Sequence, residues 1–318
     1  MIITITLNPA IDETVEVDHL EVGDTNRIHS IRRDIGGKGV NVARVLKELG
    51  YEALAMGFAP GRFGGMIEEQ LTDEGIGCDF VPYPGETRTN INIVDRAKHQ
   101  STMLAAPGPA VPPEAIDRLS RHVRRRMRRD SWLVMAGSMP PAMEVTFHAE
   151  ILAHAAELGA TTALDADGPV VEQLFGLGVR PSILKMNDHE LGRLLHRECE
   201  SEENVLEGAR SLRRLGIESA VITRGGEGAV AVTPEGEFRA VPPLVTVDSA
   251  VGAGDGFLAG LLLGLRQERG WAESLRLASA VGAAVCMAPG TALCHRGDVN
   301  ELLPNGFVER IRERVAVR

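Results

Sequence analysis

Apolar residues follow two different rhythms along this chain. From about residue 50 onward, short continuous apolar runs alternate with stretches of helical spacing. Residues 52–59, 132–136, 161–164, 182–185, 219–223 and 228–232 are the candidate strands of this kind, and residues 2–7 are another at the start of the chain. Continuous runs suit strands covered on both faces. Strand and helix in alternation imply a mostly parallel sheet between two helical layers, joined by right-handed crossovers, with ligands at the C-terminal strand ends. The second rhythm is strict alternation of polar and apolar residues. Residues 14–17 and 89–94 (TNINIV) have it, as half-exposed antiparallel strands do. Segments 12–34 and 86–106 are therefore expected to form a small sheet standing off the main body, whose natural role is a lid.

A third pattern lies at residues 248–264, DSAVGAGDGFLAGLLLG. A β-branched run at 244–247 reads as an extended segment before it, and an apolar stretch with the spacing of a buried helix follows. Gly252, Ala253, Gly254 and Asp255 should form that helix's first turn. Unpaired N–H groups and the helix dipole make such a turn an anion site, and glycines let a phosphoryl group come close. A carboxylate there would repel a bound anion, but it makes sense as a base: an alcohol could lose its proton to Asp255 while the amides of residues 253–255 stabilise the transferring group. An ordinary first-turn acidic residue favoured by the dipole is the alternative.

Other polar residues gather where a parallel sheet would put its ligand. Asp12 follows the first strand and Asn8-Pro9, as a ligand contact or a turn aspartate. The glycine turn GGKGVN, residues 36–41, opens a helix with the apolar stripe Val42, Val45, Leu46 and Leu49; it is neither a Walker A loop nor a dinucleotide fingerprint. Ser138 lacks a nucleophile elbow and should contact ligand or cap the helix after Pro140-Pro141. Asp165 ends another strand. Asn187 and Glu190, three apart at a helix start, offer the oxygens that magnesium prefers or simply close a capping box. Thr223 to Gly226 follow a further strand.

Composition narrows the classes. The chain has 318 residues, 44% apolar and 25% charged, with no linker, repeat or low-complexity tract, so a single domain spanning 1–318 with an appendage is expected. A net charge of -10 argues against nucleic-acid and membrane partners, and the arginine-rich run 121–129 then reads as the solvated face of a helix. Cys78, Cys199, Cys286 and Cys294 show no metal or disulfide spacing, and the start of the chain carries no export or membrane signal. A soluble cytoplasmic protein is expected.

Taken together, GGKGVNVARVL, GSMPP, KMNDHEL, TRGGEGA and VGAGDGFLAG resemble, in order and spacing across essentially the whole chain, the ribokinase-like carbohydrate kinases of the phosphofructokinase B branch. TLNPAID and ETRTN look like the subgroup acting on already phosphorylated hexoses, and the tail, from VPPLVTVDSAVGAGD to GTALCHRGD, looks most like its 6-phosphofructokinases. The resemblance implies a three-layer α/β/α ribokinase-like domain, a β-sheet lid that often pairs two subunits, and ATP with Mg2+. It assigns Asp255 as base and Gly252, Ala253 and Gly254 as anion hole. Asp12, Arg27, Gly37, Lys38, Asn41, Arg88 and Ser138 fall on the sugar-phosphate side. Lys185, Asn187, Thr223, Gly225 and Gly228 fall on the nucleotide, with Glu190 and Asn187 at magnesium. A potassium-type (K+) site would use Ser249, Val251, Val285, Ala288 and Gly290.

The chain departs from the family's usual KPN at Met186, from its small polar residue at Gly256, where flexibility is expected, and from S-x-G at Thr223-Arg224-Gly225. The implied reaction is ATP-dependent phosphorylation of fructose 6-phosphate to the 1,6-bisphosphate, by a homodimer joined through its lids. Fructose 1-phosphate or tagatose 6-phosphate is the near alternative and a neutral sugar the further one. Arg27, Lys38 and Arg88 are more cations than a neutral sugar needs. An oxidoreductase would need GxGxxG after the first strand, and a non-catalytic sugar-binding protein would not need both Asp255 and Glu190.

Overall fold

The computed structural model describes residues 1–98 and 100–311. Its strands are β1 (Ile2–Thr6), β2 (Ala10–Val17), β3 (Ile28–Gly36), β4 (Ala53–Phe58), β5 (Gly77–Val81), β6 (Arg88–Asp95), β7 (Gln100–Leu104), β8 (Trp132–Ala136), β9 (Thr161–Asp165), β10 (Ile183–Asn187), β11 (Ser219–Thr223), β12 (Ala229–Thr233), β13 (Gly236–Val241) and β14 (Phe307–Ile311). Ten of them form one sheet in the order β14-β13-β12-β11-β10-β9-β8-β1-β4-β5, and β3-β2-β6-β7 form a second. In the large sheet all strands from β11 to β5 run parallel.

The continuous apolar runs explain the layers. Along β8, Val134 and Ala136 enter the core on one face of the sheet and Leu133 and Met135 the core on the other. The helices Lys38–Glu48, Ala253–Arg266 and Gly270–Met287 close the first core. The helices Pro113–Arg126, Thr146–Leu158 and Glu202–Arg214 close the second. This is the expected three-layer α/β/α architecture. Gly256 is not there for flexibility: a Cβ on it would stand 2.7 Å from a Val285 methyl. On Gly260 and Gly264 it would stand 2.9 and 2.7 Å from the Cα atoms of Ala278 and Ser274. Spaced four apart, these glycines form the seam that lets the two helices touch.

Several expectations need correction. The edge β12-β13-β14 is antiparallel to its neighbours, because tight turns rather than crossover helices join β11 to β12 and β12 to β13. In the small sheet β2 pairs β3 and β6 pairs β7 antiparallel, but β2 and β6 are parallel over eight residues; the chain leaves through β4 and β5 before returning, which is a crossover. Asp12 lies within β2, not in a turn. Residues 244–247 form no strand: Pro242 and Pro243 offer no donor, and Leu244 is fully exposed. No helix caps on Ser138, since the next helix starts at Thr146. The arginines of the run 121–129 are exposed, as expected. Among the described residues the four cysteines are free and no helix is long and apolar enough to cross a membrane.

Candidate active site

A cleft of about 990 Å³ opens at the C-terminal ends of the parallel strands, between the large sheet and the small one. Its floor is the start of the Ala253–Arg266 helix. Gly252 caps that helix in the left-handed region, with φ of 81°, which glycine adopts without cost. Of the three amides expected to face a transferring group, those of Ala253 and Asp255 already donate to the carbonyls of Ala250 (3.3 Å) and Gly252 (3.0 Å). That of Gly254 has no backbone acceptor among the described residues.

Asp255 is only 6% exposed and accepts a hydrogen bond from Asn41 Nδ2 at 2.8 Å. Burial, reinforced by the charge of Asp165, pushes its carboxyl up to about 6 against the opposing pull of Lys38, Asn41 and Lys185. A group with that value is ionised at neutral pH and takes a proton readily. Beneath it Asp165, 0% exposed, accepts from Lys38 Nζ at 2.6 Å and from Lys185 Nζ at 2.7 Å. Burial raises the Asp165 carboxyl, but the two ammonium groups outweigh it and hold the group below its usual range. At Lys38 burial works against the charge, yet Asp165, with Asp255 and Glu190, keeps the amine above its ordinary value.

The sugar-side wall comes from the small sheet and β1. Asp12 accepts from Asn90 Nδ2 at 2.7 Å and lies across Gly36, where a Cβ would stand 2.1 Å from its Oδ2. Burial raises its carboxyl; Asn90 and Arg88 pull the other way, and Asp34 adds to the rise. Arg88 donates from Nη1 to the Ala106 carbonyl at 2.8 Å and from Nη2 to that of Asn8 at 3.0 Å. Asn8 Nδ2 in turn donates to Ser138 Oγ at 3.2 Å. On the opposite wall are Asn187, Thr223 and a tight glycine turn, Gly225 to Gly228. Asn187 and Glu190 close a capping box: Asn187 N donates to Glu190 Oε2 at 2.8 Å, and Glu190 N to Asn187 Oδ1 at 2.7 Å.

The cleft wall thus gathers Asp12, Gly37, Lys38, Asn41, Arg88 and Ser138 with Lys185, Asn187, Thr223, Gly225, Gly228 and residues 251–255. Glu190, Ser249, Val285, Ala288 and Gly290 lie off it. The last four belong to segments that meet through the Asp248 and Ser249 amides, which donate to the Cys286 carbonyl at 2.8 and 3.2 Å. Arg27 stands apart, exposed. Its loop joins the far ends of β2 and β3, beyond the Val17 and Ile28 pairing, roughly 17 Å along the strand from Asp12. Sequence reasoning gave no role to Asn8, Asn90 or Asp165, although each stands in a stretch it singled out.

The model of pfkB family carbohydrate kinases matches residues 5–296. A 1-phosphofructokinase from Rhodobacter capsulatus is 35% identical, covering 88% of each chain. A tagatose-6-phosphate kinase from Staphylococcus epidermidis is 32% identical over 89% of this chain and 91% of its own. Among solved structures, Escherichia coli phosphofructokinase-2 in complex with substrates and products superposes with a TM-score of 0.89 at 27% identity, over 95% of this chain and 98% of that one. An Arabidopsis thaliana ribokinase, 20% identical over 95% and 98% of the two chains with a TM-score of 0.75, shares the fold, which is ribokinase-like. A match from the first strand to the last described helix, with relatives aligned over nearly their whole lengths, leaves one assignment: the chain belongs to the pfkB family of carbohydrate kinases and is a phosphotransferase with an alcohol acceptor.

Proposed function

We propose that this chain transfers the γ-phosphoryl group of ATP to a hexose monophosphate, with fructose 6-phosphate as the acceptor and the 1,6-bisphosphate as product. The observation that carries the reading is Asp255: a buried carboxylate, raised to about 6 and oriented by Asn41, at a helix N-terminus between the two cleft walls. It removes the proton of the attacking hydroxyl. As the O–H bond breaks, the new O–P bond forms and the bond from the γ-phosphorus to the bridging oxygen breaks, leaving its electron pair on ADP. The open Gly254 amide, the helix dipole and the two lysine ammonium groups stabilise charge on the group in transfer. Arg88 and Lys38 give the sugar-side wall two cations, which suits a phosphorylated sugar better than a neutral one.

Asn187 and Glu190 suit magnesium. Each keeps free lone pairs on its side-chain oxygens beside the capping-box bonds, and the described residues contain no cluster of three or more acidic, histidine or cysteine groups. Magnesium is ordinarily held by one or two carboxylates, water and the nucleotide's own phosphates. Bound there it would neutralise phosphate charge. For potassium, which accompanies one Escherichia coli phosphofructokinase-2 structure, the meeting of segments 248–251 and 285–290 is favourable. The Arg32 guanidinium, however, already donates to the Pro289 carbonyl in that loop.

Residues 1–318 act in this reading as one kinase domain whose small sheet is a lid. Register assigns that sheet a cleft face with Asp12 and Asn90, and an opposite face with Val15, Ile31, Ile93 and Leu104. The apolar outer face supports pairing of two lids in a homodimer.

Fructose 1-phosphate and tagatose 6-phosphate form the second reading, favoured by the 35% and 32% identity to kinases of those names. A panel of hexose monophosphates assayed for ADP release decides. The highest kcat/KM is expected with fructose 6-phosphate and very little with unphosphorylated fructose; a preference for fructose itself would overturn the sugar-phosphate reading.

A further inference from the structure

Asp165 is the most deeply buried charge in the cleft region, at 0% exposure. Its carboxylate joins two lysines from different walls: Lys38, after the glycine turn on the sugar side, and Lys185, in β10 on the nucleotide side. The Lys185 ammonium would lie 2.9 Å from a Cβ on Gly254, so it sits against the N-terminus of the Ala253–Arg266 helix. A helix N-terminus repels a cation. The group that holds Lys185 there against that field is Asp165, at 2.7 Å.

We propose that Asp165 is a positioning residue: it fixes the Lys38 and Lys185 ammonium groups toward one point above the helix start and sets the charge that Asp255 works against. This rests on the reading of Asp255 as base. The charged groups facing Asp255 are Asp165, Lys38 and Lys185, with Glu190 acting on Lys38. Two ammonium groups and two ionised carboxylates sum to zero while Asp255 waits for its proton. Once Asp255 has taken that proton the cluster carries one positive charge, at the moment negative charge moves onto the leaving nucleotide. Each ammonium spends one of its three donors on Asp165 and keeps two for the phosphates. Without the Asp165 charge, two cations and a lone Asp255 would hold that carboxylate ionised and make it a poor proton acceptor, consistent with Asp165 acting to raise it.

The test is Asp165→Asn in the full-length enzyme, with kcat followed from pH 5 to pH 8.5 and KM measured for ATP and for the sugar phosphate. The acid limb is expected to move down by at least about half a pH unit, since nearby charges shift carboxyl values by that much or more. Both KM values should rise about two- to tenfold, the worth of an ordinary hydrogen bond on each side. A purely structural role would lower activity without moving the limb, and a limb unmoved from the wild-type position overturns the proposal. Should Asp165→Asn not fold, Lys38→Met and Lys185→Met decide: removing either cation leaves Asp165 less compensated, so the acid limb must move up in both, and any other result overturns it. Asp255→Asn separates the two layers of argument. Retained turnover in that variant takes down the base reading and this inference together. A dead Asp255→Asn beside an unmoved Asp165→Asn limb overturns the inference alone.

Discussion

On the cleft floor Asp165, Asp255 and Lys185 are buried and Lys38 half-buried, and each meets a partner within 2.8 Å: Asn41 with Asp255, and Lys38 and Lys185 with Asp165. In the small sheet above, β7 is exposed along its whole length and β3 over its first four residues, and Ile28, Ile31, Met103 and Leu104 all show large apolar area to solvent. The floor hangs on a ten-stranded sheet with a core on either side; the small sheet has four strands and joins that core only at one end, through Ile11 and Ile35. Preorganised electrostatics needs the first kind of support, because a hydrogen-bonded charge network loses its value when its members can drift. In the proposed reading, where the small sheet closes over the cleft and pairs with a second copy, it needs the second kind.

On the floor, Asp255→Asn should lower kcat by about 10²- to 10⁴-fold with ATP binding still measurable by calorimetry, the range that general-base assistance supplies. A loss below about tenfold would mean that another group takes the proton. The same variant should gain stability at alkaline pH. A carboxyl raised from 3.8 to about 6 favours its neutral form in the folded state, so its contribution is fully present below the unfolded value and is lost as pH rises through the folded one. Above pH 7 that amounts to on the order of 3 kcal/mol, which an amide would not forfeit. Melting temperatures at pH 5 and pH 8 should therefore diverge between wild type and variant, with the variant higher at pH 8.

Where the small sheet meets the floor, Arg88 tests whether the wall recognises phosphate. Arg88→Ala should cost roughly 10- to 150-fold in kcat/KM for fructose 6-phosphate, the worth of a charge-assisted contact of about 1.5 to 3 kcal/mol. The residual turnover of unphosphorylated fructose should barely change. Because both terminal nitrogens also hold backbone carbonyls of Asn8 and Ala106, equal losses on the two sugars would make Arg88 a strut of the wall and not a phosphate contact.

The same contrast explains what the sequence revealed. The large sheet was legible because strands covered on both faces leave continuous apolar runs, and the helix starts announced themselves through GGKGVN and VGAGDG. Strand direction was not: the period-two pattern of β2 and β6 records which side chains face which way, and is the same whether the neighbouring strand runs parallel or antiparallel. The Asp165 network was equally invisible. Its partners are 20 and 127 residues away, so no local spacing encodes it. Arg27 stands away from its own chain's cleft for a related reason: its position in sequence between two strands does not say whether that turn lies at the cleft end of the sheet.

The smallest effect on chemistry, and the one that isolates the small sheet, concerns its outer face. Burying one isoleucine or leucine there contributes about 1.5 to 3 kcal/mol, and a two-fold axis would use Ile31 and Leu104 twice each. That gross gain competes with an association cost of comparable size, so a dimer formed this way would rest on every one of these side chains. Ile31→Glu removes two of them and sets charge against an apolar surface. A loss of about 3 to 6 kcal/mol weakens the dissociation constant by about 10²- to 10⁴-fold. Light scattering at micromolar concentration should therefore read twice the 34.2 kDa chain mass for the wild type and the single mass for the variant. The thermal midpoint should scarcely move, since Ile31 is half exposed in the single chain and supports no core. A wild type that scatters as a fully active monomer would instead mean that the small sheet tolerates its exposed face alone, and the division between a supported floor and a partner-dependent lid would fail at the lid.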